Sequence, residues 1–263
     1  MALDKQQIET FGDALFDALT TRTTIEPLTE QAPGIEISDA YEISRRFLAR
    51  RLDAGETMIG KKIGVTSAAV MNMLNVHQPD FGFLTNKMVY GTSAEVPAST
   101  EMIAPKAEGE IAFILKDDLS GPGVTNADVL AATDFVMPCF EIVDSRIKDW
   151  KIKIQDTVAD NASCGVIVLG DEARKPSEID LSTCGIVVTL NGEIVSTGAG
   201  AAALGSPVNC ITWLANTLGE FGIGLKAGEL ILSGSLVPLQ AVKPGDSMHM
   251  QIGGLGQAAA RFV

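Results

Sequence analysis

Apolar residues in the first third of the chain recur every three or four positions, which is the spacing of one face of an α-helix. One such stripe follows Asp4, a second follows Ser38 and Asp39, and a shorter third follows Thr66 or Ser67, all residues that can cap a helix. The spacing predicts three helices that pack through these stripes. Their apolar residues are Ile8, Phe11, Leu15 and Leu19, then Ala40, Ile43 and Phe47, then Val70, Met73 and Leu74.

From about residue 76 onward, the pattern changes to short β-branched and apolar runs separated by glycine turns, which is typical of β-strands. Asn191-Gly192 separates two such runs and favours a hairpin with a type I′ turn. One helix interrupts the strands, because Ser206-Pro207 is a strong start signal before further apolar residues at helical spacing. The patterns predict an α+β protein with a small, mainly helical part over residues 1–75 and a β-rich body over residues 76–263.

The charge of the chain narrows the classes of partner. A formal net charge of −13 at pH 7 argues against nucleic acids and anionic membrane surfaces, which would repel so acidic a protein. No apolar run approaches the length of a membrane span. The four cysteines are scattered without a C-x-x-C pair, as expected of buried thiols in a reducing compartment. We therefore expect a cytoplasmic protein without nucleic acid or membrane partners.

Two carboxylates interrupt an otherwise apolar, strand-like run over residues 107–115. Glu108 and Glu110 lie two positions apart, so both project from one face of the strand while the apolar residues after them project from the other. Two like charges facing a core cost several kcal/mol unless a cation or a proton lies between them. Glu141 interrupts a second apolar run, residues 136–143, in the same way.

Three carboxylates offer the hard oxygen ligands that Mg²⁺ or Mn²⁺ prefers over the ligands of zinc or copper. The spacing alone leaves an alternative open. Glu108 and Glu110 can instead face solvent from an edge strand, with Glu141 paired to a lysine or an arginine.

Lys61 and Lys62 occupy a glycine-flanked, apolar segment that resembles a strand running into a helix. Alternation sends the two side chains to opposite faces, so that one of them can point inward. A buried lysine near a metal would have a lowered pKa and could exchange a proton at neutral pH. The alternative is a strand edge with both ammonium groups exposed. Asp80 lies in the turn-like segment 78–82 and is as suited to capping that turn as to touching a ligand.

Residues 158–165 are rich in small hydrogen-bonding side chains, among them Asn161 and Ser163, and precede a strand-like run. Small polar residues can line a pocket for a substrate carboxylate, yet the same composition makes an ordinary loop. The chain lacks the glycine-rich fingerprints of dinucleotide and P-loop sites, and it lacks the nucleophile elbow of serine hydrolases. The sequence therefore implies neither a nucleotide cofactor nor covalent acyl transfer.

In combination, these segments resemble the hydratase/decarboxylase branch of the fumarylacetoacetate hydrolase superfamily. The likeness runs from about residue 38 to the end of the chain, and its motifs are weak singly but specific together. The segments that carry it are Gly60-Lys61-Lys62-Ile63-Gly64-Val65-Thr66-Ser67, Gln78-Pro79-Asp80-Phe81-Gly82, Glu108-Gly109-Glu110, Asp144-Ser145-Arg146, Asp156-Thr157-Val158-Ala159-Asp160-Asn161-Ala162-Ser163 and Leu232-Ser233-Gly234.

The resemblance implies a mixed β-roll or barrel core of the fumarylacetoacetase C-terminal type, and it makes residues 76–263 the catalytic part. It implies that Glu108, Glu110 and Glu141 carry Mg²⁺ or Mn²⁺, with Lys62 close by. The activity it implies is hydration of 2-hydroxypenta-2,4-dienoate to 4-hydroxy-2-oxopentanoate in aromatic meta-cleavage catabolism. It further implies a homo-oligomer and allows a complex with a sister decarboxylase.

Within that activity, Lys62 and Asp80 are the expected catalytic residues. Lys62 would shuttle a proton or hold the substrate carboxylate, Asp80 would orient the water, and Asn161 with Ser163 would bind the carboxylate. The alternative enzyme is a 4-oxalocrotonate decarboxylase, which uses the same carboxylates. A non-catalytic alternative is an inactive scaffolding partner of such an enzyme, against which the intact set of three glutamates argues.

Overall fold

The computed structural model describes residues 3–67, 70–72 and 75–263. Its helices are α1 (Lys5–Thr21), α2 (Leu28–Gln31), α3 (Ile37–Asp53), α4 (Ala98–Glu101), α5 (Asn126–Ala132), α6 (Ile154–Ala159) and α7 (Pro207–Glu220). Its strands are β1 (Met58–Gly64), β2 (Asp80–Thr85), β3 (Val89–Gly91), β4 (Ala94–Val96), β5 (Lys106–Leu115), β6 (Thr133–Val143), β7 (Cys164–Leu169), β8 (Gly185–Leu190), β9 (Glu193–Ala199), β10 (Leu230–Leu232), β11 (Gln240–Ala241), β12 (Ser247–Ile252) and β13 (Gly256–Phe262).

Side-chain caps set the starts of the two long N-terminal helices. Asp4 Oδ1 accepts a hydrogen bond from the backbone N–H of Gln7 at 2.8 Å, as predicted for α1. In α3 the N-cap is Glu36, whose N–H donates to Asp39 Oδ2 at 3.1 Å. The predicted cap at Ser38 or Asp39 is therefore wrong, because Asp39 lies inside the first turn and folds back onto the residue that precedes the helix.

The apolar stripes of α1 and α3 pack against α6 as one buried cluster. Leu15, Phe47 and Val158 are fully buried at its centre. The two stripes predicted from the spacing are thus confirmed. The third predicted helix includes Met73 and Leu74, which lie outside the described residues.

The larger sheet has the strand order β2-β1-β10-β5-β6-β7-β3, and β11 adds to one side of β5. β1 and β10 run parallel, whereas β5 pairs antiparallel with both β10 and β6. β5 is therefore an interior strand. β1 falls in the predicted helical part, residues 1–75, but pairs with strands of the β-rich body, and the division at residue 75 stays a prediction.

The smaller sheet has the order β4-β13-β12-β8-β9. Asn191 and Gly192 turn β8 into β9 with φ angles of 53° and 89°, as the predicted type I′ turn requires. Phe113 of the larger sheet, Val188 of the smaller sheet and Leu214 of α7 share one buried cluster, so the main core lies between the sheets and this helix. The predicted α+β class with a β-rich body is confirmed. In the described ranges, no helix is both long and apolar enough to cross a bilayer.

Candidate active site

The register between β5 and β6 gathers the predicted carboxylates on one face of the larger sheet. Glu108 lies directly opposite Glu141, and Glu110 lies opposite Cys139. Opposed residues share a face, as do residues two apart on one strand. Ile111 projects from the other face and is fully buried in the main core, which confirms the predicted alternation.

Lys62 and Asp80 lie on the same face as the glutamates. Lys62 is opposite Leu232 of β10, whose partner on β5 is two residues beyond Glu110. Asp80 is opposite Gly64, two residues beyond Lys62. The turn-capping interpretation of Asp80 is wrong, because this residue begins β2 and is buried. Four strands therefore bring five ionisable side chains to one face, which we call the carboxylate face (Lys62, Asp80, Glu108, Glu110 and Glu141).

The solvent-facing alternative for the glutamates is wrong, because β5 has a neighbouring strand on each side. Glu110 and Glu141 are each 1% exposed, and Glu108 is half-buried. The other half of that alternative, pairing of Glu141 with a basic residue, is confirmed: Lys62 Nζ lies 3.1 Å from Glu141 Oε1.

Both lysines of β1 are buried, on opposite faces. Lys61 is 1% exposed and Lys62 is 3% exposed, so the alternative with exposed ammonium groups is wrong. Lys61 is held on the core face because its Nζ lies 2.6 Å from both carboxylate oxygens of Glu229. This ion pair keeps Lys61 away from the carboxylate face and leaves Lys62 as the basic group there.

Several oxygens of the carboxylate face lack partners. Within the described ranges, neither oxygen of Asp80 nor Oε1 of Glu141 makes a hydrogen bond, although Lys62 Nζ approaches the latter. Glu110 Oε2 accepts a hydrogen bond from the N–H of Gly234 at 2.9 Å. A buried polar atom without a partner costs about 1–3 kcal/mol, so the face is built at an energetic cost that a ligand could remove.

Burial and mutual repulsion shift the pKa values of this face. Burial, aided by the charge of Glu141, raises the pKa of Glu108 to about 7 and the pKa of Glu110 well above its ordinary range. Burial also raises the pKa of Asp80 to about 6, against the opposing effect of Lys62. Burial alone would lower the pKa of Lys62, but the charges of Glu141 and Asp80 raise it overall. In the metal-free protein these carboxylates outweigh desolvation, and the lowered lysine pKa expected beside a bound metal stays a prediction.

Four carboxylates thus share one buried face with a single ammonium group. As placed, no group of three or more histidine, cysteine, aspartate or glutamate side chains in the described part of the chain could hold a metal ion. The carboxylates lie on a common face, but their ligand atoms do not surround one point. Binding one cation through all three glutamates would therefore require their side chains to change rotamer.

Asn161 and Ser163 lie beside this face, in a short 3₁₀ turn between α6 and β7. The Asn161 amide donates to the Phe83 carbonyl at 2.9 Å and accepts from the Phe83 N–H at 2.8 Å, so it continues the hydrogen bonding of β2. Ser163 Oγ lies 3.2 Å from Thr157 Oγ1 and is buried. These contacts give Asn161 a positioning role, and a direct contact of either residue with the substrate stays a prediction. In residues 158–165, α6 ends at Ala159 and β7 begins at Cys164, so the connection between them is short, and the pocket and loop interpretations both stay open.

The backbone next to the carboxylate face is strained. Val65 follows β1 with φ of 57°, a left-handed conformation that β-branched residues rarely adopt. Asn161, Ala162 and Ser163 have φ of 55°, 50° and 54° in succession. Such residues cost of order 1–3 kcal/mol each and cluster at functional sites, where the surrounding structure holds them in place.

Arg146 and Asp160 support this strained turn, and sequence reasoning assigned them no role. Both are fully buried, and Arg146 Nε donates to Asp160 Oδ1 at 2.5 Å. The guanidinium also donates to the carbonyls of Asp144, Asp160 and Cys164, which ties the end of β6 and the start of β7 to the turn. Both residues lie in polar segments of the sequence, and nothing in the spacing specified their pairing.

Gly64 leaves the space into which two of these side chains extend. A Cβ atom on Gly64 would lie 2.4 Å from Asp80 Oδ1 and 3.2 Å from Lys62 Nζ. We expect Gly64→Ala to displace both groups and to lower kcat/KM by about 10²-fold, the cost of misplacing a catalytic group by about 1 Å. Steady-state kinetics and circular dichroism would measure activity and folding.

The matched control is Gly91→Ala in β3, where an added Cβ would meet nothing within 4 Å. This variant should keep wild-type activity. Equal activity of the two variants would contradict the crowding at Gly64.

Comparison with known proteins identifies the family. The family model for the fumarylacetoacetate (FAA) hydrolase C-terminal region matches residues 61–263, which include the carboxylate face. The chain belongs to the fumarylacetoacetate hydrolase family. The resemblance inferred from the motifs is therefore confirmed, and the mixed sheets and N-terminal helices agree with this fold.

Two curated proteins and one solved structure match most of the chain. It is 66% identical over 84% of its length to the whole of a 2-hydroxypent-2,4-dienoate hydratase of Pseudomonas putida. It is 56% identical to a 2-hydroxyhexa-2,4-dienoate hydratase of Comamonas testosteroni, over 99% of both chains. Among solved structures, it is similar to the 4-oxalocrotonate decarboxylase from Pseudomonas putida G7 complexed with magnesium and adipate. There the TM-score is 0.96 and the identity 36%, over 99% of both chains.

Proposed function

We propose that this protein hydrates 2-hydroxypenta-2,4-dienoate to 4-hydroxy-2-oxopentanoate with a bound divalent cation, in aromatic meta-cleavage catabolism. The observation that carries the proposal is the buried carboxylate face in a chain 66% identical to a dienoate hydratase. The predicted homo-oligomer and the complex with a sister decarboxylase stay predictions, as does the cytoplasmic location.

The carboxylate face fits a divalent cation. Glu108, Glu110 and Glu141 would hold it, because they supply hard oxygen ligands from opposed positions of two strands. The raised pKa values of Glu108 and Glu110 indicate negative charge without a sufficient counter-charge, even though Lys62 pairs with Glu141. The relative with a solved structure holds magnesium. We propose Mg²⁺ or Mn²⁺ here.

The cation would act as a Lewis acid that stabilises negative charge on the C2 oxygen of a 2-oxo or 2-enol acid. Lys62 Nζ lies 3.1 Å from Glu141 Oε1, beside the proposed cation site, so it is placed to hold the substrate carboxylate or to deliver a proton. In the first step the C2 hydroxyl loses a proton and C5 gains one, which gives a conjugated 2-oxo-3-enoate. Asp80, whose oxygens have no hydrogen-bond partner among the described residues, then takes a proton from water as the water oxygen bonds to C4. Return of this proton to C3 completes the addition and regenerates the Asp80 carboxylate.

A 4-oxalocrotonate decarboxylase is the second candidate, favoured by the 0.96 TM-score to that enzyme. Incubating the Mg²⁺-loaded protein with each substrate distinguishes the two activities. We expect loss of the dienoate ultraviolet absorbance with formation of 4-hydroxy-2-oxopentanoate, and no CO₂ from 4-oxalocrotonate. Release of CO₂ without hydration would reverse the assignment.

Proton competition should make cation affinity depend on pH. Since the metal-free pKa of Glu108 is about 7, the cation must displace a proton from this carboxyl below neutral pH. We expect the apparent Kd for Mn²⁺ to rise by up to about 10-fold per pH unit as pH falls from 7 to 6. Calorimetric titrations at pH 6, 7 and 8 would measure the effect. An affinity independent of pH over this range would contradict it.

A further inference from the structure

A cavity of about 300 Å³ lies next to the carboxylate face and meets it at Asp80. Its mouth carries polar side chains, including exposed His77 and Gln78. Its wall is apolar and comes from α3, α6 and the segment before β2. We call this cavity the tail pocket, and its apolar wall consists of Ile37, Tyr41, Val76, Ile154 and Val158.

The wall of the tail pocket is fixed relative to Asp80. The Tyr41 ring stacks on the ring of Phe81, with centroids 4.2 Å apart and planes inclined by 11°. Phe81 follows Asp80 in β2, so this stack ties the Tyr41 part of the wall to the strand that carries Asp80. Val158 is fully buried behind it. A wall held in this way discriminates by size, because it cannot yield to a longer ligand at low cost.

The substrate has a polar end and an apolar end, and the protein places the carboxylate face next to the apolar tail pocket in the same order. The carboxylate and C2 oxygen require the charged side chains, whereas the far end of the dienoate is hydrocarbon. Asp80 acts at C4 in the proposed reaction, so C5 and any substituent on it must lie just beyond Asp80. The tail pocket is the apolar space that Asp80 borders there.

We infer that the tail pocket receives the C5 end of the dienoate and that Val76 and Ile37 in its wall determine the chain length accepted. This inference rests on the proposed function and adds its specificity. A volume of about 300 Å³ is at the lower end of the range for small-molecule sites. It leaves room for an alkyl group beyond the terminal carbon of the pentadienoate, so we expect the protein to hydrate 2-hydroxyhexa-2,4-dienoate as well.

Filling the pocket should reverse that tolerance. Val76 and Ile37 are half-buried, so a larger side chain can be introduced at either position without opening the core. Val76→Phe and Ile37→Phe should each lower kcat/KM for the hexadienoate relative to the pentadienoate by about 10-fold or more, since one methylene group in an apolar pocket changes discrimination by about 10–200-fold. Val76→Ala should shift the ratio toward the longer substrate.

Ile194→Phe is the matched control, because Ile194 is 67% exposed on β9 and lies outside both the carboxylate face and the tail pocket. Its substrate ratio should equal that of the wild type. If Val76→Phe and Ile37→Phe both folded, hydrated the dienoates and kept the wild-type ratio of kcat/KM between the two substrates, the inference would be overturned.

Binding of unreactive 2-oxo acids separates failure of this inference from failure of the proposed function. Calorimetry with Mg²⁺-loaded protein and 2-oxobutanoate, 2-oxopentanoate and 2-oxohexanoate should show affinity that rises with chain length in the wild type and levels off in Val76→Phe. If affinity rose with chain length but neither dienoate was hydrated, the proposed reaction would be refuted, whereas the role of the tail pocket in binding the substrate chain would be supported. If the dienoates were hydrated but affinity did not depend on chain length, the role of the tail pocket would be refuted, whereas the proposed reaction would be supported.

Discussion

Replacing Glu108 with glutamine should reduce metal-dependent turnover by at least about 10³-fold, because loss of the cation removes several kcal/mol of transition-state stabilisation. Glutamine keeps the size of the side chain but removes its charge and replaces one acceptor oxygen with an NH₂ donor. Removing groups that merely support a metal ligand costs 10–100-fold in affinity, so loss of a direct ligand should weaken Mn²⁺ binding by at least about 100-fold. Calorimetry and electron paramagnetic resonance of bound Mn²⁺ would measure this loss separately from activity.

The same substitution should not weaken the metal-free fold. The pKa of Glu108 is raised from 4.5 to about 7 in the folded protein, so the folded state holds this proton more tightly than the unfolded state. Ionisation of Glu108 therefore lowers the free energy of unfolding as pH rises from 4.5 to about 7, and the full loss is present above pH 7. Metal-free Glu108→Gln should be at least as stable as the wild type at pH 8, and the difference should vanish as pH falls toward 4.5.

Glu193→Gln is the matched control, since Glu193 is exposed at the start of β9. This variant should keep wild-type turnover, cation affinity and melting temperature. If Glu108→Gln retained normal turnover at limiting metal concentration, Glu108 would not be a ligand of the catalytic cation.

Local signals were enough to predict much of the fold. The Asn191-Gly192 turn requires two positive φ angles that few residue pairs adopt, so it specifies the hairpin without tertiary information. Ser206 and Pro207 likewise place the start of α7 by chemistry within one helical turn. The start of α3 was missed, because Glu36 and Asp39 can cap in more than one arrangement and packing selects among them.

The alternation of charge in β5 predicted which face carries Glu108 and Glu110, but not that the face is buried. Burial follows from the position of β5 between β10 and β6, and β10 comes more than a hundred residues later in the chain. The burial of Lys61 was not predictable for the same reason, because it depends on a contact that is distant in sequence. Its partner, Glu229, lies 168 residues away, and no spacing rule relates the two. Contacts of this range depend on the complete topology.

Replacing Asp160 with asparagine should destabilise the protein by about 3–5 kcal/mol, the typical cost of breaking a buried ion pair from one side. Arg146 is fully buried and would keep its charge, while the carboxylate that compensates it would be gone. Small domains are stable by only about 5–15 kcal/mol, so this loss is a large share of the total. Urea unfolding followed by circular dichroism would measure it.

Asp134→Asn tests whether burial is the cause of that loss. Asp134 pairs with Lys175 at 2.5 Å, but the two side chains are 41% and 57% exposed, and such pairs contribute about 1 kcal/mol or less. A double-mutant cycle with Arg146→Met should show that removing both charges costs less than the sum of the single changes. If Asp160→Asn and Asp134→Asn cost the same, the buried pair would not be what holds the strained turn of Asn161 and Ser163 in place. Because that turn lies beside Gly82 on the carboxylate face, we also expect Asp160→Asn to lose activity at urea concentrations below its global unfolding transition.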